Sequence, residues 1–233
     1  MSGRLDKWLS QSLGVSRSTA RVLIRGGRVA VDGRPVHQAD TRLEPGMQVS
    51  CDDQPLTPPQ SRSGYWMMHK TLGYLSATYD DHQPTVIDLL PASMHAGIQV
   101  AGRLDKDSSG LLLLTTDGAW SHRLRRPGHH RKVYRLWLAE PVDAAMQQAW
   151  LRGVELRSDG CARALAVEVL GPCEVRMTID EGRYHQVRRM CAAAGNHVLA
   201  LHREEVAGIV LDAELQPGQW RALRAEEIAR VDA

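Results

Sequence analysis

The chain has 233 residues, 43% hydrophobic and 24% charged, with a net charge of +2, as expected for one or two globular domains able to bury a core. No apolar run approaches the roughly 18 residues that cross a bilayer, and the charged start MSGRLDKWLS lacks the apolar stretch of a secretion signal, so a cytoplasmic protein without membrane contact is expected. The four cysteines, Cys51, Cys161, Cys173 and Cys191, show no paired-ligand spacing, which argues against zinc and fits reduced thiols.

Leu5, Trp8, Leu9 and Leu13 fall at helical spacing, and Gly14 ends that run. Ser16 is placed to cap a second helix reaching Arg25 and stopping at Gly26-Gly27. Within it Arg17, Arg21 and Arg25 share one face. With Arg4, Lys7, Arg28 and Arg34 they give this end of the chain seven basic groups against Asp6 and Asp32. Arg28–Val31 reads as a strand, Asp32-Gly33 as a tight turn and Met47–Cys51 as a further strand. The stretch DQPLTPPQSRSG, Asp53 to Gly64, has no apolar period and reads as a linker. It divides a first domain, 1–59, from a second, 60–233.

Beyond it, strands are expected at Tyr65–His69, Ile98–Ala101, Leu111–Thr115, Val133–Ala139, Ala164–Leu170 and Glu174–Ile179, with weaker ones at Val198–His202 and Gln219–Leu223. Helices are expected at Thr85–Leu90, Ala119–Leu124, Ala144–Arg152, Tyr184–Ala194 and Ala225–Val231. Strands in runs point to an α+β fold with a mixed, mainly antiparallel sheet flanked by helices. Residues 118–139 carry six basic groups and no acidic one, whereas 204–233 carry seven acidic and three basic. A single arginine is best read as part of a solvated face. Two separate basic segments balanced by an acidic tail favour a polyanion, hence nucleic acid.

The densest motif is AGRLDKDSSGLLLLTTDG, Ala101 to Gly118, in which a polar loop with Arg103, Asp105 and Asp107 precedes an apolar strand. On spacing alone the two aspartates read as a turn with carboxylates capping amides. They are too close in sequence to flank a sugar as a glycosidase pair would.

That loop resembles the R-L-D signature of RNA pseudouridine synthases. MHKTLGYLS (Met68–Ser76) is similar to their K-P-x-G motif, with Thr71 in place of proline. Lys132-Val133-Tyr134 resembles their K-x-Y strand, and EGRYHQVRRM (Glu181–Met190) their C-terminal motif. RLDKWL (Arg4–Leu9), with the S-R-x-x-A-R and R-V-x-V-D-G elements, resembles the S4 RNA-binding module. The resemblance implies a small S4-like domain joined to a synthase domain, and a reaction needing no cofactor or metal. The uridine N1–C1′ bond breaks, the base turns and C5 is joined to C1′. It assigns the reacting carboxylate to Asp105, as nucleophile at C1′ or base at C2′. It assigns base stacking to Tyr134, and an ion pair with Asp105 to Arg188. Without it, Tyr134 is a core strand residue and Arg188 a helix-surface charge.

The RNA-contacting set expected from charge and motif is Arg4, Lys7, Arg17, Arg21, Arg25, Arg28, Lys70, Arg103, Lys132, Arg183, His185 and Arg189. Large-subunit synthases with an S4 module usually carry N-R where this chain has Tyr184-His185-Gln186. Together with GNHVLALHR (Gly195–Arg203), this resembles the branch acting on the small ribosomal subunit. The implied partner is 16S rRNA or a precursor small subunit, the implied target uridine 516 in the usual rRNA numbering, and the implied state a monomer. A large-subunit synthase and an RNA-binding assembly factor with incidental activity are the alternatives.

Overall fold

The structure is a computed structural model that describes residues 3–57 and 64–232. They form two compact units, one of residues 3–57 with Leu90–Ile98, the other of Gly64–Leu89 and the chain from Gln99 onward. The excursion of Leu90–Ile98 breaks the contiguous second domain expected from sequence. Residues 58–63 of the expected linker lie outside the described residues.

In the first unit, α1 (Leu5–Leu13) ends on Gly14 in the left-handed region, and α2 (Arg17–Arg25) starts where Ser16 Oγ accepts from Thr19 N at 3.0 Å. Their apolar faces, Leu5, Leu9, Ala20 and Ile24, pack with Val29, Val31, Leu43 and Val49. The strands β1 (Val29–Val31), β2 (Arg34–Pro35), β3 (Val49–Cys51) and β4 (Gln54–Pro55) form one antiparallel sheet in the order β2-β1-β3-β4. Asp32-Gly33 makes the expected turn, both residues at positive φ. Asp52-Asp53 makes another, so the opening of the expected linker is a hairpin instead. A second pair of left-handed residues that are not glycine was not legible as a turn.

The second unit is built on one sheet. Its strands are β5 (Tyr65–Lys70), β6 (Gln99–Ala101), β7 (Ser109–Thr115), β8 (Lys132–Leu138), β9 (Ala166–Gly171), β10 (Glu174–Ile179), β11 (Val198–Val206), β12 (Ile209–Val210) and β13 (Trp220–Ala222). The main order is β9-β10-β8-β11-β7-β5-β13, with β6 on β7 and β12 on β11. Only the β11–β7 pair is parallel, through His202↔Ser109 and Arg203↔Gly110. Helices α3 (Gly118–Leu124), α4 (Ala144–Arg152), α5 (Gln186–Ala193) and α6 (Ala225–Ala229) flank it. The expected helix at Thr85–Leu90 is a short 3-10 turn, Val86–Leu89, opened by Asp88 accepting from Thr85 N at 2.7 Å.

Alternation sets the strand faces. On β8 Lys132, Tyr134, Leu136 and Leu138 turn inward, and on β10 Val175, Met177 and Ile179. β7 is buried from Gly110 to Thr115, as a central strand covered on both faces must be. Asp117 caps α3 by accepting from Ala119 N and Trp120 N, and also accepts from the Tyr65 hydroxyl; these donors hold its carboxyl below the usual range against the opposing effect of burial.

Candidate active site

The loop between β6 and β7 carries Asp105, and it is braced before it is functional. Ser76 Oγ donates to Leu104 O at 2.7 Å and accepts from Leu104 N at 3.0 Å. Lys106 O accepts from Gly73 N at 2.9 Å. Lys70 Nζ donates to Ser108 O at 2.7 Å, Thr71 O at 3.0 Å and Lys106 O at 3.4 Å. Lys70 is fully buried, and that burial pushes its ammonium down to about 8, against the pull of Asp105 and Asp107. Lys70 therefore cannot meet RNA phosphates, contrary to the expectation from charge; it supports the loop from beneath. The motif position filled by Thr71 instead of proline contributes a carbonyl, which proline has as well.

Asp105 opens on a concavity lined by Arg103, Leu104, Tyr134, Ile179, Gly182, Arg183, the His185–Arg188 turn and Leu201. The three residues expected to carry chemistry thus share one site, although they come from a loop, β8 and α5. Tyr134 is 7% exposed and its hydroxyl makes no hydrogen bond among the described residues. An aromatic face and a free hydroxyl at the wall of a pocket suit a flat, polar guest such as a nucleobase.

One expected contact is not made. Arg188 pairs with Asp107, at 2.8 Å, rather than with Asp105, because carbonyls of Val198 and Asp107 hold its guanidinium toward that side. Its Nε is buried without a hydrogen-bond partner among the described residues. The group nearest Asp105 is His185, whose Nε2 lies 3.5 Å from Oδ1. His185 sits in the left-handed region, at φ 48°, and stacks on exposed Tyr184 with centroids 3.9 Å apart. Sequence had placed His185 among RNA contacts, with no signal that it faces the carboxylate.

Several further basic residues prove to be committed. Lys132 is largely buried and donates to His130 O and Asp180 O, so its ammonium is engaged within the fold. Arg189 is tied to Asp159 and to carbonyls of Leu156 and Tyr184. Arg183 pairs with Glu181 at 3.0 Å yet still lines the pocket, and Arg103 is exposed at its edge.

On the first unit, Arg4, Arg17 and Arg21 converge on Asp6, whose side chain is fully buried, at 3.2, 2.7 and 3.0 Å. Arg28 pairs with Asp52 at 2.5 Å. Lys7 and Arg25 are exposed and form no ion pair among the described residues. Nothing in the sequence signals that a buried carboxylate gathers Arg4, Arg17 and Arg21. Burial raises the Asp6 pKa, but the three guanidiniums outweigh it and hold the carboxyl well below the usual range. Its contribution to stability is present above the unfolded pKa of about 3.9 and fades as pH falls further. Asp6→Asn should lower the stability of the first unit by more than the ~0.5 kcal/mol of an ordinary surface change. The loss should shrink at acidic pH, as denaturant unfolding at pH 7 and pH 3 would measure.

A carboxylate, an aromatic face and guanidinium groups line one concavity on a mixed sheet, in a chain that also carries a separate basic unit, an arrangement suited to an RNA-modifying enzyme. The chain belongs to the RNA pseudouridylate synthase family, whose sequence profile matches residues 64–193, and the S4 domain profile matches residues 3–49. It is 46% identical over 230 residues to ribosomal small subunit pseudouridine synthase A of Escherichia coli K12, covering 98% of this chain and 99% of that one. The protein of that name from Pseudomonas aeruginosa is 41% identical, covering 98% and 100%. A crystal structure of a pseudouridylate synthase superposes with a TM-score of 0.72 at 36% identity, covering 98% and 99% of the two chains. The fold is an S4 domain plus an α+β synthase domain, and the protein is an isomerase.

Proposed function

We propose that this protein isomerises one uridine of 16S rRNA, uridine 516, to pseudouridine during assembly of the small ribosomal subunit, acting as a cytoplasmic monomer. The observation that carries the reading is the shared pocket of Asp105, Tyr134 and Arg188, in a chain matched over nearly its whole length by small-subunit synthases.

In this reading the target uridine leaves its stack, at a cost of a few kcal/mol, and its base lies against Tyr134. The Asp105 carboxylate engages the ribose, either by attack at C1′ or by taking the C2′ proton. The N1–C1′ bond breaks, the base turns in place, and C5 bonds to C1′, displacing the carboxylate on the first route or with the proton returned to C2′ on the second; the C5 proton then leaves and N1 gains one. The Tyr134 hydroxyl, which has no partner to give up, is placed to serve that proton traffic. The guanidinium groups of Arg183 and Arg188, which line the pocket, favour the negative charge of the base or the neighbouring phosphate. Incubation with 16S rRNA labelled with tritium at uridine C5 should release about one equivalent per molecule, and 23S rRNA none. Release from 23S rRNA alone would contradict the target.

The first unit supplies affinity through backbone phosphates. Lys7 and Arg25 carry no competing acidic partner, so Lys7→Ala with Arg25→Ala should lower the slope of log K against log salt by about 1.4–1.8. Filter binding across a salt series measures it. An unchanged slope would remove these residues from the interface.

A further inference from the structure

Two buried cations bracket the Asp105 loop, and neither has a carboxylate hydrogen-bonded to it among the described residues. Lys70 holds the downstream side, as described. Arg203 on β11 holds the other. It is 2% exposed, and its guanidinium donates from Nε to Leu111 O at 2.9 Å and from its terminal nitrogens to Gly102 O at 3.0 Å and Arg103 O at 3.2 Å. Those carbonyls lie at the end of β6, just before Asp105, and in β7, just after the loop. The antiparallel β6–β7 and β5–β7 ladders end at Ala101↔Leu113 and Lys70↔Gly110, so the residues from Gly102 to Ser108 lie beyond the strand pairing.

We propose that Arg203 is a positioning residue for the reaction: its guanidinium pins both ends of the loop and so sets where the Asp105 carboxylate stands in the pocket. This rests on the reading of Asp105 as the reacting group. Placing a charge in the interior is costly, and no carboxylate among the described residues is hydrogen-bonded to this one to offset it. A cation kept there, close enough to Lys70 to oppose its charge, is accounted for by a geometric task rather than by stability. Arg203 meets its three carbonyls from three different nitrogens of its planar fork, a spread that the single ammonium of a lysine does not match.

The test is steady-state kinetics on a 16S rRNA transcript, with thermal unfolding, for Arg203→Met, Arg203→Lys and Asp105→Asn. Arg203→Met should remain folded at the assay temperature with a lowered Tm, keep KM for RNA within about threefold and lose kcat by about 10²-fold. Arg203→Lys should recover part of that kcat. Wild-type kcat in folded Arg203→Met, or a rise in KM without loss of kcat, would overturn the proposal. Should Arg203→Met fail to fold, Arg203→Lys decides: lowered kcat at unchanged KM upholds the proposal, and wild-type kcat overturns it. Failure of both to fold would assign Arg203 to stability alone and overturn it equally. Turnover by Asp105→Asn would show that the reading of Asp105 has failed, and the positioning proposal with it. An inactive Asp105→Asn beside a fully active, folded Arg203→Met would overturn the positioning role only.

Discussion

Asp105→Asn is expected to abolish pseudouridine formation, a fall of at least about 10³-fold, while RNA affinity stays within a few-fold. The amide keeps the shape and the loop contacts, since the bracing hydrogen bonds run through Ser76, Gly73, Lys70 and the backbone rather than through the Asp105 side chain. It loses the negative charge needed for attack at C1′ and the basicity needed at C2′, so both routes fail together. Filter binding and product mapping on the same preparation separate the two effects. Because Arg188 bonds to Asp107 and not to Asp105, the substitution should leave the α5 contact with the loop in place. Asp107→Asn, by contrast, should reduce the rate without eliminating it, since the Asp107 and Val198 carbonyls still hold the guanidinium.

Gly110→Ala should be the most damaging single change to the fold of the second unit, costing more than about 4 kcal/mol or preventing soluble expression. Gly110 has φ +106°, and a Cβ there would meet the Arg203 backbone, its nitrogen at 2.5 Å and its carbonyl oxygen closer still. The neighbour is a main chain in the centre of a sheet, so it has little room to move. The glycine of the Ser108-Ser109-Gly110 step is therefore what allows β11 to pair beside β7. Gly128→Ala provides the control: it also has positive φ, +75°, but nothing lies within 4 Å, so it should cost only about 1 kcal/mol of backbone strain. Urea unfolding of both variants measures the difference; equal small losses would refute the close-approach account.

The string Gly-Arg-Leu-Asp-Lys occurs twice, at Gly3–Lys7 and Gly102–Lys106, and shows where sequence reading ends. In the first copy the aspartate is fully buried under three arginines; in the second its side chain is 31% exposed and faces a pocket with one histidine at 3.5 Å. The letters are the same and the surroundings decide the chemistry. What was legible was whatever local period encodes: α1, α2, α4, the alternation of β8 and β10, the Ser16 cap and the Asp32-Gly33 turn. Ordered motifs made Asp105, Tyr134 and Arg188 recognisable as a set. What was not legible depends on contacts distant in sequence. A lysine at a strand end reads as a phosphate contact until a loop places three carbonyls around it, as happens at Lys70. The role of Arg203 is equally hidden, because its partners come from the loop after β6 and from β7. His185 is hidden for another reason, since a left-handed histidine at a helix start has no periodic signature.

The central claim is that Asp105 in this pocket makes pseudouridine at one position of small-subunit rRNA. The most direct measurement incubates the protein, and separately its Asp105→Asn variant, with unmodified 16S rRNA or precursor particles and maps pseudouridine by carbodiimide-dependent reverse-transcription stops. The account predicts a single new stop, at uridine 516, with the unaltered protein and none with the variant. A stop at that position with pure Asp105→Asn protein, or modification confined to another rRNA, would contradict it.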